Sequence, residues 1–164
     1  MGIIVQKFGG SSVADTEKLF NICKHIVREY NRDNKVVVVV SAQGKTTDNL
    51  VNEEKEICEN PNLREHDVLV AVGEQITISK LVMCLNKLGI EAKSYLGWQI
   101  PILTDSNYGD ANIININTDK LLKDLEENNI VVVAGFQGVD KENNITTLRK
   151  RRVRYDGNCI ISIY

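Results

Sequence analysis

VVVVVSA, residues 36–42, decides the fold. A strand with water on one face alternates apolar and polar residues. An unbroken β-branched run instead suits a strand covered by helices on both faces, as in a parallel sheet. Working outward, IIVQKF at 3–8 is a second short apolar strand, running into a Gly-Gly-Ser-Ser turn at 9–12. Between the two strands, Leu19, Cys23, Ile26 and Tyr30 recur at helical spacing, with Asp15 or Thr16 as the N-cap. Downstream, the pattern predicts a helix over Leu50 to Cys58 and a longer helical stretch over Glu65 to Leu88, stopped by Gly89. A strand is expected in Ala92 to Leu96. After a loop around Pro101 to Ala111, a short strand is expected at 113–117, a helix over Asp119 to Glu127 and a buried strand, IVVVA, at 130–134. Strands alternating with helices argue for an α/β fold with a mostly parallel central sheet flanked by helices.

The chain has 164 residues, 43% hydrophobic and 26% charged, which suits one compact unit with a sizeable core. Its formal charge of −2 hides an asymmetry. Arg149 to Arg154 hold five cations in six residues, whereas residues 1–148 hold 15 Lys and Arg against 21 Asp and Glu. No run reaches the roughly 20 apolar residues of a membrane span, and MGIIVQKFGG lacks the features of a secretory signal. A cytoplasmic protein with no membrane partner is expected. Cys23, Cys58, Cys84 and Cys159 form no CxxC pair, and His25 and His66 have no second ligand at helical spacing, so no metal site built on these residues is predicted.

In open α/β sheets, ligands collect beyond the carboxyl ends of the strands. Three loops qualify here: KFGGSS, VSAQGKTTDN and AGFQG. Lys7 offers a point charge, and Gly9 and Gly10 leave room for a phosphate, although an ordinary turn has the same composition. The pattern is neither GxGxxG nor GxxxxGK[ST]. Ser41, Thr46 and Thr47 supply hydroxyls that either cap the next helix or bind a carboxylate. Glu74, inside VLVAVGEQITISKLV, is either a solvated residue or a partner for a ligand ammonium.

Taken together, KFGGSSVA, VSAQGKTTDNL, VGEQIT, GWQ with TDSNYGDANI, and VVVAGFQG with ITTL resemble, in that order, the N-terminal half of the kinase domain in the aspartokinase branch of the amino-acid kinase family. The resemblance covers residues 3–148. It implies an amino-acid kinase-like fold, incomplete here, and ATP-dependent phosphorylation of the L-aspartate β-carboxylate, with ATP and Mg²⁺ as cofactors. It further implies that Lys7 contacts the transferring phosphate and that Gly9, Gly10 and Ser11 line the phosphate loop. Ser41 and Thr47 would lie at the aspartate site, Glu74 would hold the α-ammonium, and Gly135 and Phe136 would border the same pocket. Thr104, Asp105 and Gly109 match a recurrent family loop. Gln43 stands where relatives often carry methionine. Acetylglutamate, uridylate and carbamate kinases share the fold but match VSAQGKTTDNL and VGEQIT less well. A noncatalytic aspartate-binding or interaction module is the alternative of a different class.

After ITTL, members of this family continue with GRGGSD and a helix beginning TTA, whereas this chain reads RKRRVRYDGNCIISIY. Codons can be chosen for Arg149 to Tyr164 that, read one base later, give GRGGSDTTAIALSAF. Residues 1–148 are therefore expected to be the kinase-domain portion and 149–164 an out-of-frame tail, leaving a chain inactive alone. A basic arm for nucleic acid is the rival reading, but the body is acidic and carries no recognition motif, so nucleic acid is not an expected partner. Loss of later strands would uncover a sheet edge and favour self-association, such as a homo-oligomer.

Overall fold

The structure, a computed structural model, describes residues 2–149. The tail reading concerns 149–164, of which all but Arg149 lies outside the described residues. The main sheet is fully parallel, in the order β1 (Ile3–Phe8), β2 (Lys35–Val40), β6 (Ile130–Ala134), β3 (Ala92–Tyr95). The run of valines behaves as its composition predicts. Val36, Val38 and Val40 pack on one face against Leu19, Ile26, Leu81 and Leu85 of helices α1 (Thr16–Tyr30) and α4 (Val72–Lys87). Val37 and Val39 pack on the other against Ile100, Ile102 and, from α5 (Asp119–Glu126), Leu121 and Leu125. One strand thus feeds two cores, and all five valines are at most 2% exposed.

Several element ends follow from local chemistry. The Asp15 side chain accepts from Lys18 N–H at 2.8 Å and caps α1. Gly89, at φ +78°, closes α4 in a left-handed conformation that a residue with a Cβ adopts at a cost. Helix α2 (Thr46–Ile57) begins four residues before the expected Leu50, because the polar stretch Thr46 to Asn49 forms its first turn. The stretch expected as one helix divides at Ala71 into α3 (Leu63–Val70) and α4. There the buried Gln137 side chain donates to the Ala71 carbonyl at 3.0 Å. By length and composition alone Leu63–Lys87 is long and apolar enough to cross a membrane, a test that the core helix of a soluble protein also passes. Half of its apolar window is buried inside the protein, as in a core helix.

A second sheet was not anticipated. Its order is β5 (Ile113–Ile116), β4 (Ile102–Thr104), β7 (Gln137–Val139), β8 (Ile145–Thr147), with antiparallel β4–β5 and β7–β8 pairs around a parallel β4–β7 contact. Part of the expected loop at Pro101 to Ala111 is therefore strand, and so is the second half of GFQG. The β7–β8 turn is organised by Asp140, which is 2% exposed. Its carboxylate accepts from Glu142 and Asn144 N–H, both at 2.9 Å, from Tyr108 Oη at 2.9 Å and from Ser106 Oγ at 3.0 Å. Burial pushes its pKa up, but these donors outweigh burial and hold it at about 2, below the ordinary 3.8. A depressed carboxyl contributes stability above its unfolded-state pKa and loses it as pH falls through the folded value. Acid titration of stability should therefore show a loss from about pH 4 towards pH 2 that is smaller in Asp140→Ala, as followed by denaturant midpoints across pH.

Candidate functional site

Register brings the three candidate loops together. Phe8 lies opposite Val40, and Val40 opposite Ala134, so β1, β2 and β6 end in one row. The loops that leave this row enclose a cavity of about 340 Å³. From β1 comes Lys7 and from the turn after it Gly10; from the loop after β2 come Ser41, Ala42 and Gly44, and from the first turn of α2 Thr47 and Asp48. Helix α4 supplies Glu74, and Gly135 and Phe136 follow β6. Seven of the nine residues singled out from the sequence thus line one space; Gly9 and Ser11 belong to the adjoining exposed turn and do not line it.

The walls are fixed by close backbone approach. A Cβ on Gly10 would lie 2.6 Å from the Ala42 carbonyl oxygen, so only glycine lets the turn at 9–13 touch the loop after β2. The Gly44 N–H then donates to the Gly10 carbonyl at 3.0 Å. Phe136 has φ +64°, a left-handed conformation costly for an aromatic residue. Flanking backbone bonds hold it there: Gly135 N–H to Val40 O at 2.9 Å and Leu148 N–H to Phe136 O at 2.8 Å.

Charge in the cavity is divided. Glu74 is 2% exposed, in the first turn of α4, and its Oε1 accepts from Ala42 N–H at 2.9 Å. The open N–H groups and dipole of a helix start favour a carboxylate there. Glu74 is therefore buried and not a solvated residue of the outer face. Lys7 is exposed, yet desolvation by its surroundings lowers its pKa below the ordinary lysine value. Among the described residues it forms no ion pair, so its ammonium is available to an anion.

Thr104, Asp105 and Gly109 lie away from this cavity. Thr104 Oγ1 is 2.7 Å from Thr146 Oγ1, and Asp105 accepts from Asn112 N–H at 3.0 Å, which holds its carboxyl below the usual range together with the Asn112 side chain. Gly109 borders an adjoining cavity with Thr47, His66 and Phe136. The residue that ties this loop down escaped the sequence reading. Asp67, fully buried in α3, accepts from Gly109 N–H at 3.0 Å, Thr147 N–H at 2.8 Å and Thr147 Oγ1 at 2.6 Å. A lone aspartate in an amphipathic helix reads as a solvated residue, and no local signal distinguishes it. Leu148 and Arg149 also line the main cavity; Arg149 donates its N–H to Ala111 O at 3.1 Å and pairs with Asp110 at 3.4 Å.

A parallel sheet covered by helices on both faces, with glycine-bearing loops, a lysine and a buried carboxylate at its carboxyl end, defines an α/β protein of the open-sheet class, in which ligands collect at that end. The profile of the amino acid kinase family matches residues 2–161, and the chain belongs to that family. It is 54% identical over 148 residues to an aspartokinase of Bacillus sp. (strain MGA3) and 50% identical to aspartokinase 2 of Bacillus subtilis (strain 168). Each alignment covers 90% of this chain and 36% of the relative, so the chain spans about a third of the length of these relatives. Among solved structures, aspartate kinase from Synechocystis superposes with a TM-score of 0.75 at 40% identity, over 90% of this chain and 24% of that one. Escherichia coli aspartokinase III, solved in complex with aspartate and ADP, gives 0.75 at 21% identity over 89% and 43%, a likeness of fold.

Replacing Asp67 by Asn puts an amide where only donors converge. The variant should lose about 1.5–3 kcal/mol of stability by urea denaturation, the range for hydrogen bonds to a charged group. It should also speed hydrogen exchange at Gly109 and Thr147.

Proposed function

We propose that the cavity is the acceptor half of an aspartate kinase site and that the reaction of the whole protein is transfer of the ATP γ-phosphoryl group to the β-carboxylate of L-aspartate. The observation that carries this reading is the convergence of Lys7, Ser41, Thr47 and Glu74 on one cavity in a chain akin to aspartokinases. Glu74 holds the α-ammonium of the substrate. Ser41 and Thr47 donate hydroxyl hydrogen bonds to its carboxylates, and Gly135 with Phe136 close the pocket behind it. A β-carboxylate oxygen attacks the γ-phosphorus, the bond to the β,γ-bridging oxygen breaks, and the electron pair leaves with ADP. The acceptor is already ionised near neutral pH, so no general base is required. The difficulty is holding two anions in line. Lys7 neutralises charge on the transferring group, and the turn from Gly9 to Ser11 approaches it through its backbone.

The donor set fits phosphate rather than a metal. Among the described residues no group of three or more His, Cys, Asp or Glu could hold an ion. Mg²⁺ would enter with the nucleotide phosphates in this reading, and none of these side chains is assigned to it. Nor is any assigned to adenine or ribose, which the family's later half would contact. We accordingly read the chain as a portion of the kinase domain ending at Leu148, with Arg149 to Tyr164 out of frame, and as inactive alone. A DNA sequence across codons 145–165 that lacks the shifted GRGGSD codons would sink the frame reading.

Two measurements on the purified chain test the site. Calorimetry should detect L-aspartate binding, weakened about 10- to 100-fold in Glu74→Gln, the equivalent of one charge-assisted bond. With ATP, Mg²⁺ and L-aspartate, hydroxylamine trapping of an acyl phosphate should stay at background. Undetectable aspartate binding overturns the substrate assignment, and hydroxamate formation overturns the inactivity.

A further inference from the structure

Gln43 does not line the cavity, yet it is hydrogen-bonded to the turn after β1, to α4 and to the start of α2. Its Nε2 donates to the Val13 carbonyl at 2.6 Å, at the end of the turn Gly10–Val13, and its Oε1 accepts from Lys80 Nζ of α4 at 2.7 Å. The two partners fix the orientation of the amide, because a carbonyl can only accept and an ammonium can only donate. Its own carbonyl accepts from Thr46 N–H at 2.9 Å and Thr46 Oγ1 at 2.7 Å. Helix α2 has no side-chain cap from Lys45, so its start is held by Gln43 instead.

We propose that Gln43 is a positioning residue that braces the loop carrying Ser41 and Thr47 against the turn at Gly9 to Val13, so that both move as one wall. The proposal rests on the proposed function only in what the wall is for: the loop faces the acceptor and the turn faces the phosphate. The loop has three other ties. Ala42 N–H reaches Glu74, Gly44 N–H reaches the Gly10 carbonyl at 3.0 Å, and Ser41 N–H reaches Phe8 O at 3.1 Å. Of these three, only the Gly44 bond reaches the turn. Gly44 has φ +52°, so its peptide has glycine's freedom to swing unless something beyond its own bond holds it. The Gln43 amide is the one side chain that spans loop to turn among the described hydrogen bonds. Because Gln43 acts through main-chain positions, its removal loosens the phosphate turn without removing any group from the cavity.

Gln43→Met keeps the length of the side chain and loses both bonds. Gln43→Glu keeps an acceptor for Lys80 and sets a carboxylate against the Val13 carbonyl. Lys80→Met removes only the outer partner. Amide hydrogen exchange by two-dimensional NMR on the whole chain reads the brace without any ligand. Gly44 N–H should exchange about fivefold faster in Gln43→Met and in Gln43→Glu, the effect of one net hydrogen bond, and the shifts of Gly10 to Val13 should move. In Lys80→Met the change should be smaller. Val38 and Val132, in the sheet's interior, should stay as they are in the wild type.

Wild-type exchange at Gly44 in Gln43→Met overturns the proposal. So does an equal rise at Val38, which would mark general loss of stability, or full retention in Gln43→Glu, which would make Lys80 the only partner that matters. Titration of L-aspartate into the same wild-type sample separates the two readings: absence of binding there removes the acceptor assignment while the exchange result still judges the brace.

Discussion

Strand β2 is hydrogen-bonded in parallel on both edges, to β1 and to β6, and everything at the site follows from that pairing. A central strand must satisfy its backbone on both sides and bury its side chains on both faces. The five valines do so, alternating between the core under α1 and α4 and the core under α5. A slip of one residue would exchange the two sets and misfit both cores, so register is strongly specified. Since Phe8, Val40 and Ala134 then fall in one row, three loops must emerge side by side. The cavity is a consequence of register before it is a consequence of any particular polar residue.

Close packing of backbone then determines which residues the loops can use. Gly10 and Gly135 each face a carbonyl oxygen where a Cβ would lie at 2.6 and 2.9 Å. Glycine at these two positions is therefore required by neighbouring backbone even before a ligand is considered. Glu74 works in the same economy of space. Its buried carboxylate satisfies the Ala42 N–H that follows β2 and is itself supported by the start of α4. Under the proposed function, one side chain both anchors the loop and receives the substrate's ammonium.

What was legible in the sequence is what local pattern controls. Apolar β-branched runs gave β1, β2 and β6 their places, and helical spacing with an aspartate cap did so for α1. Strands β4 and β7 were not legible: each has three residues, and β7 contains glycine and glutamine. They exist because backbone groups pair across the second sheet, a tertiary effect that propensity does not carry. The break at Ala71 is equally remote, since its carbonyl is taken by Gln137, 66 residues away. At the site, Lys7, Ser41, Thr47 and Glu74 were legible as types, but nothing local told an inward Glu74 from a solvated one. Asp67 was invisible for the same reason, because its partners at Gly109 and Thr147 lie far along the chain.

Opposite charges in one small cavity constrain what it can hold. A ligand of one sign would satisfy either Lys7 or Glu74 and be repelled by the other, whereas a zwitterion beside a phosphate meets both. Glu74 is the buried member, so an ammonium reaching it is desolvated and gains from the lower local dielectric. Lys7 is the exposed member. Under the proposed function, a buried Glu74 and an exposed Lys7 suit an acceptor whose ammonium lies inside and a phosphoryl donor at the outer side. Residues that line only the deep part can bind an acceptor without transferring anything to it. Under the proposed function, binding by this chain is separable in principle from catalysis.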